Sequence, residues 1–356
     1  MGLKPWAVDG AAIVALLALV AATGPLPWFP TDRDVYEAAA ARIIVPDCSD
    51  IHCFRPLVPW MLGRIPGPTM AVWKGYAVLA TAAAAIGVGV FCTGLGMTVR
   101  AARFAVWLVA LGFGPMLTLF NPHTPDPLMF ALGPIVSAQI VAGRRARATI
   151  VSAIGVFAKE VAAAPLWIGF LWCALRRRWN EATQWFAIAF GVTLLWAGLQ
   201  LWLMLVHNYS YAGSASADLL HGGYIVKWAG ELGAARAAAT FLGSFGAVFL
   251  LAPAGFVRAS RELRLFAIAS IPAMLVLMYV EQPDRAVWNY HYVLIPLAVL
   301  ALQDLNDALC WLFVASYGLA NLRVGAQVTY VPSARYGLLV SMLIGGLAIV
   351  KGVRGA

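Results

Sequence analysis

Residues 71–97 read AVWKGYAVLATAAAAIGVGVFCTGLGM, a run of 27 residues interrupted by one charge, Lys74. A hydrocarbon core of about 30 Å is crossed by roughly 20 apolar residues of helix. The stretch is therefore long enough to cross a bilayer alone. Further apolar runs recur along the whole chain, and the expected spans are 11–29, 71–97, 104–120, 127–143, 182–206, 237–257, 265–281, 290–303, 308–322 and 336–350. Composition agrees: 62% of the 356 residues are hydrophobic and 12% charged, with mean hydropathy +0.80. A soluble domain has roughly 45–50% apolar and 25% charged residues, so no soluble fold hides this much apolar surface. The expected fold class is all-α, a polytopic membrane bundle of roughly 10–12 transmembrane helices forming a single domain over 1–356.

Alternate connections are strongly basic: Arg100 and Arg103; Arg144, Arg145 and Arg147; Arg176, Arg177 and Arg178; Arg258, Arg261 and Arg264; Lys351 and Arg354. Loops rich in Lys and Arg stay cytoplasmic, which fixes the orientation and makes the net charge of +9 largely topogenic. It gives no reason to expect a nucleic-acid partner. The first span carries no convincing cleavage site and reads as retained. Arginine outnumbers lysine 20 to 5, a bias that hints at a GC-rich bacterium and hence its inner membrane.

Two basic clusters that should share a side are separated by only 28 residues, 148–175. Two full spans need about 40. A pair of short helices that enter, turn near Lys159 and Glu160 and leave by the same face resolves the count. Such broken helices are tolerated where protein or a water-filled cavity covers the backbone.

Acids concentrate on the opposite, external face. The first external loop, 30–70, contains TDRDVYEAAAAR at 31–42, a helix start that Thr31 or Asp32 can cap. It closes with FRPLVP at 54–59, bringing Arg55 to the membrane surface. A second loop reads NPHTPDP at 121–127, with His123 and Asp126 between two spans, and a third reads EQPDRAVWNYHY at 281–292. An ionisable residue inside a membrane, such as Lys159, is a functional candidate by default. Cys48 and Cys53 flank SDIH on the first loop, and an external compartment favours a disulfide between them.

On these residues the chain resembles the GT-C superfamily of integral-membrane glycosyltransferases, which take sugars from polyprenyl-phosphate carriers, and is similar to its smaller mannosyltransferase-like members. Asp32 and Asp34 match the Asp-X-Asp start of the first external loop, Arg55 to Leu57 its basic ending, Asp126 an acid of the next loop, and Lys159–Glu160 the lysine-containing turn. The resemblance covers 1–175 well, as a catalytic core, and 176–356 by layout, with external loops 207–236 and 281–291. It implies sugar transfer from a polyprenyl-phosphate-sugar donor to a lipid or glycan acceptor at the periplasmic face. It also implies an aspartate base, Asp32 or its neighbour Asp34. Asp126 would orient donor or acceptor. Arg55, Lys159 and Arg285 would meet the phosphate, with Glu160 beside them and Tyr290 or His291 adding a hydrogen bond. No metal and no cofactor is indicated.

Blander readings stand beside these. Arg55 and Arg285 reach lipid head groups, Lys159 pairs with Glu160, His123 serves its loop, and Trp288, Tyr290 and His291 form an interfacial aromatic belt. Loop 207–236, with Tyr209, Tyr211, His221 and Trp228, is a candidate lid. A retaining mechanism through a second carboxylate stays open. A lipid or solute transporter and a non-catalytic subunit of a cell-envelope complex are the rival classes.

Overall fold

The computed structural model describes residues 5–24, 30–42, 44–45, 47–210, 222–324, 328–329 and 333–354. These form seventeen α-helices: α1 (Pro5–Thr23), α2 (Pro30–Ala41), α3 (Leu57–Leu62), α4 (Thr69–Gly94), α5 (Val99–Ala110), α6 (Phe113–Phe120), α7 (Asp126–Val141), α8 (Arg145–Gly155), α9 (Ala164–Leu175), α10 (Trp179–His207), α11 (Gly223–Leu232), α12 (Ala234–Arg258), α13 (Arg261–Val280), α14 (Pro283–Trp288), α15 (His291–Ala301), α16 (Asp307–Asn321) and α17 (Ala334–Arg354). Two 3₁₀ turns, Ile51–Phe54 and Glu160–Ala163, and a two-residue antiparallel pairing of Arg323–Val324 with Val328–Thr329 complete the described elements.

The chain is an all-α polytopic membrane protein. Five helical segments are long and apolar enough to cross a membrane: α4, α5 with α6, α10, α13 and most of α17. A sixth, α12, is bent by 71° and holds Gly246 at φ +47°, a left-handed conformation that glycine adopts without a Cβ penalty. Most of α1 and all of α7 and α15 are apolar but shorter, as is the stretch Glu160–Leu175. Of the expected spans, 127–143 and 290–303 fall on these shorter helices, as does the described part of 11–29. Helix α7 begins at Asp126 and the stretch Glu160–Leu175 follows Lys159, so charged residues stand at the start of both.

The expected broken pair is α8 and α9, of 11 and 12 residues, each roughly 16–18 Å long at 1.5 Å per residue and too short for a bilayer. Tertiary cover protects their junction: the Leu57 amide donates to the Phe157 carbonyl at 3.1 Å. Helix α4 is the central post, buried against α1, α5 and α7, and its Trp73 is 1% exposed. In the second half α12 lies on α15 so closely that a Cβ at Gly255 would meet the Leu297 carbonyl oxygen at 1.6 Å. Small residues at helix crossings are how membrane helices gain van der Waals contact.

Candidate active site

Four segments distant in sequence converge at one end of the bundle. The first is α2, which begins on Pro30, where proline's missing amide is no loss. Its helical period puts Asp32 and Tyr36 on one face and turns Asp34 away. Tyr36 is buried at 1% exposure, whereas Asp34 is exposed. Of the two candidate bases, Asp32 alone faces the bundle, its side chain a quarter exposed.

The disulfide Cys48–Cys53 forms. It closes a small loop in which the Asp50 side chain caps the 3₁₀ turn by accepting the His52 amide at 2.8 Å. That turn drops His52 onto α2, its ring edge-on to Tyr36 at 5.3 Å. Imidazole Nδ1 lies 2.6 Å from Asp50 Oδ1 and Nε2 lies 3.7 Å from Asp32 Oδ1. The hydrogen bond from His52 holds the Asp50 carboxyl below its usual range. Neither Asp50 nor His52 is among the expected site residues, although both fall inside the quoted Cys-flanked motif.

Arg55 follows at once, and its guanidinium donates to Glu160 Oε1 at 3.1 Å. Burial works against that charge, but the Glu160 carboxylate outweighs it and holds the proton more tightly than usual. Burial likewise raises the Tyr36 phenol, against the pull of Arg55 beside it. Lys159 does not pair with Glu160. Its ammonium, 2% exposed, donates to Asp126 Oδ1 at 2.8 Å and Glu281 Oε1 at 2.5 Å. Arg285, carried on α14, donates to the other Asp126 oxygen at 2.5 Å. Asp126 opens α7, where the helix dipole favours an anion. Tyr76 of α4 fixes that end by accepting the Leu128 amide at 3.1 Å and donating to the Pro125 carbonyl at 3.2 Å.

His123 is a positioning residue by its contacts. Its Nε2 lies 3.2 Å from Glu37 Oε1 on α2, and its ring packs 5.0 Å from Trp73. Burial lowers its basicity, with Glu37 opposing. His291 lies away from the charged cluster, fully buried, its Nδ1 2.8 Å from the Trp288 carbonyl and its ring stacked on Trp288. Tyr290 is buried and lines a small cavity with Asn289, Tyr292, Met129 and Pro165. Within the candidate lid, 211–221 lie outside the described residues. Tyr209 belongs to the latch of the first loop: its hydroxyl accepts the Val45 amide at 3.0 Å, and Ser210 donates to the Cys48 carbonyl at 3.0 Å.

Among the described residues no group of three or more His, Cys, Asp or Glu side chains is arranged to hold a metal ion. Asp126, Glu160 and Glu281 are each met by a basic side chain.

No family model matches the chain, and no curated protein matches it. Among solved structures, an archaeal oligosaccharyltransferase from Archaeoglobus fulgidus, determined with an inhibitory peptide and a dolichol-phosphate, is similar over 98% of this chain, with TM-score 0.51 and 13% identity. The chain spans just over half of that protein, 56% of its length. At this identity the likeness is one of fold alone.

Proposed function

We propose that this protein transfers a sugar from a polyprenyl-phosphate-linked donor to a lipid or glycan acceptor at the external face of a bacterial plasma membrane, with inversion at the sugar. The Asp32 carboxylate removes the acceptor proton, and the acceptor oxygen attacks the anomeric carbon. The bond from that carbon to the phosphate oxygen breaks, leaving its electron pair on the lipid phosphate. No acid need protonate that leaving group, but cations must face the charge that grows on it. Arg285 and Arg55 suit that task. Lys159 and Asp126 support Arg285 instead of touching the substrate.

The observation that carries this reading lies inside the ion network. Arg285 Nε and Glu281 Oε2 are buried and have no hydrogen-bond partner among the described residues. A buried polar group left unpaired costs about 1–3 kcal/mol, so a fold that keeps one donor and one acceptor unpaired within one ion network is suited to a ligand offering both. A sugar phosphate does: phosphate oxygens accept and sugar hydroxyls donate.

The test is transfer of radiolabelled sugar from a panel of polyprenyl-phosphate donors by purified protein in nanodiscs, comparing wild type with Asp32→Asn and Asp34→Asn. Asp32→Asn should lower kcat by about 10²–10⁴-fold, the usual contribution of a positioned base. Asp34→Asn should stay within about threefold, as for an exposed side chain away from the chemistry. Equal activity of wild type and Asp32→Asn would remove Asp32 as base. Bound donor with no transfer by wild type would favour a carrier.

A further inference from the structure

The geometry points to His52 as a proton-relay residue, aimed at Asp32 by Asp50, so that the reacting unit is Asp32–His52–Asp50 and not a lone aspartate. The inference rests on the glycosyl-transfer reading above and adds to it where the acceptor proton goes.

The argument starts from hydrogen positions. An ionised carboxylate only accepts, so the 2.6 Å contact with Asp50 Oδ1 places the proton of a neutral imidazole on Nδ1. Its Nε2 lone pair then faces Asp32 Oδ1 across 3.7 Å. Two acceptors cannot hydrogen-bond each other, and they are too far apart to touch. A proton delivered to Asp32 joins them. Imidazole is a stronger base than a carboxylate, so a proton that Asp32 takes from the acceptor hydroxyl passes on to Nε2. The imidazolium that results lies between two carboxylates, each bearing a full negative charge.

The charges balance across the step. The acceptor O–H bond breaks and its oxygen gains the sugar. The lipid phosphate leaves with the electron pair of its former bond, and the proton resides on His52 until water removes it. Asp32 is thereby returned to its basic form without opening the site at that moment.

Among the described residues, α2 and the turn itself present groups to His52. From α2 come the Asp32 carboxylate and the edge of the buried Tyr36 ring. From its own turn comes Asp50, whose charge also feels Arg55. The disulfide on either side of the turn fixes this arrangement, and His52 remains a quarter exposed, which gives the relayed proton a route to solvent. A merely structural histidine would explain the Asp50 contact. It would not explain why the second nitrogen is turned toward the proposed base.

The experiment uses full-length protein in nanodiscs and measures kcat and KM between pH 5 and 9 for wild type, Asp32→Asn, His52→Gln and Asp50→Asn, with thermal unfolding as the check on folding. Wild-type kcat should rise with pH along a limb that the imidazole contributes. His52→Gln should lose about tenfold or more in kcat and lose that limb, with the donor KM and the melting temperature unchanged. Asp50→Asn should keep the limb but shift it to lower pH, because the imidazolium loses one stabilising carboxylate. A His52→Gln protein with wild-type kcat and an intact limb overturns the relay while leaving the transferase reading in place. A wild type inactive with every donor takes both down. Titration of the ¹⁵N-labelled imidazole gives a readout free of turnover: Asp32→Asn should lower the midpoint of His52, and an unchanged midpoint overturns the inference.

Discussion

Replacing Lys159 by methionine should destabilise the fold before it affects chemistry. The ammonium sits 2.8 Å from Asp126 and 2.5 Å from Glu281, and at an effective dielectric constant of 20 each contact carries roughly 6 kcal/mol of Coulomb attraction. Much of that only offsets taking the charges out of water. The consequence of removing one partner is better judged from buried pairs, where it costs about 3–5 kcal/mol because the remaining charge is left uncompensated. Asp126 keeps Arg285, so the stranded group is Glu281, 14% exposed. Lys159→Met should therefore lower Tm by at least about 5 °C in detergent, measured by differential scanning fluorimetry. Lys159→Met with Glu281→Gln should recover more than half of the loss, since the second change removes the stranded charge. If Lys159 instead served the substrate phosphate, the single variant would keep its Tm and lose only transfer. That outcome, or a double variant no more stable than the single, refutes the structural assignment.

Asp284 offers a pH test. Burial lifts its carboxyl to about 6, above the unfolded value near 3.9, so the fold favours the protonated form. Its stabilising contribution is complete below about pH 4 and lost as pH rises through 6. Asp284→Asn should therefore be more stable than wild type at pH 7, by up to roughly 3 kcal/mol, with the difference closing toward pH 4 in paired unfolding curves; a difference independent of pH refutes it. Cys48→Ser with Cys53→Ser opens a loop of sequence separation 5, for which chain entropy predicts a loss of roughly 2 kcal/mol. Reduction of the wild type should reproduce that loss, and no change in Tm would show that contacts such as Asn208 with Asp47 hold the turn unaided. Gly255→Ala must push a methyl into the Leu297 carbonyl and should cost on the order of 3 kcal/mol or more, seen as poor yield of folded protein at 37 °C; wild-type yield and Tm refute the close crossing.

The spans and the broken pair are legible in the sequence because hydrophobic length is a local quantity. The ion pairs are not. Asp126 reaches its partners across 33 and 159 residues, and Arg55 reaches Glu160 across 105, distances over which adjacency in the chain carries no information. Adjacency even misleads at Lys159 and Glu160. Lys159 has extended backbone, φ −168° and ψ 146°, in which successive side chains diverge to opposite sides, so the two serve different partners. The Asp32–Asp34 ambiguity was soluble in principle. Once TDRDVY is read as a helix, residues i and i+2 do not share a face, and Tyr36, four residues on, marks the inner one. His52 lies outside the expected site because its position depends on the disulfide turn that brings it back over α2, a non-helical path with no periodicity to read.

Burial divides the site into two halves with different physical duties. Lys159 and Asp126 are 2% and 4% exposed, deep enough that their charges cannot change partners without a cost of several kcal/mol. Asp32 and His52 are 24% and 23% exposed, wet enough to exchange protons and admit a hydroxyl. On the proposed reading a base must be reachable, whereas the groups that aim the proposed phosphate-binding Arg285 must not move. If that division is correct, variants of the two halves separate when transfer rate is plotted against melting temperature. Changes at Asp32, His52 or Asp50 fall in rate at constant Tm, while changes at Lys159 or Asp126 move first along the Tm axis. Both sets lying on one line would mean that stability alone governs the rate and that the division has no chemical meaning.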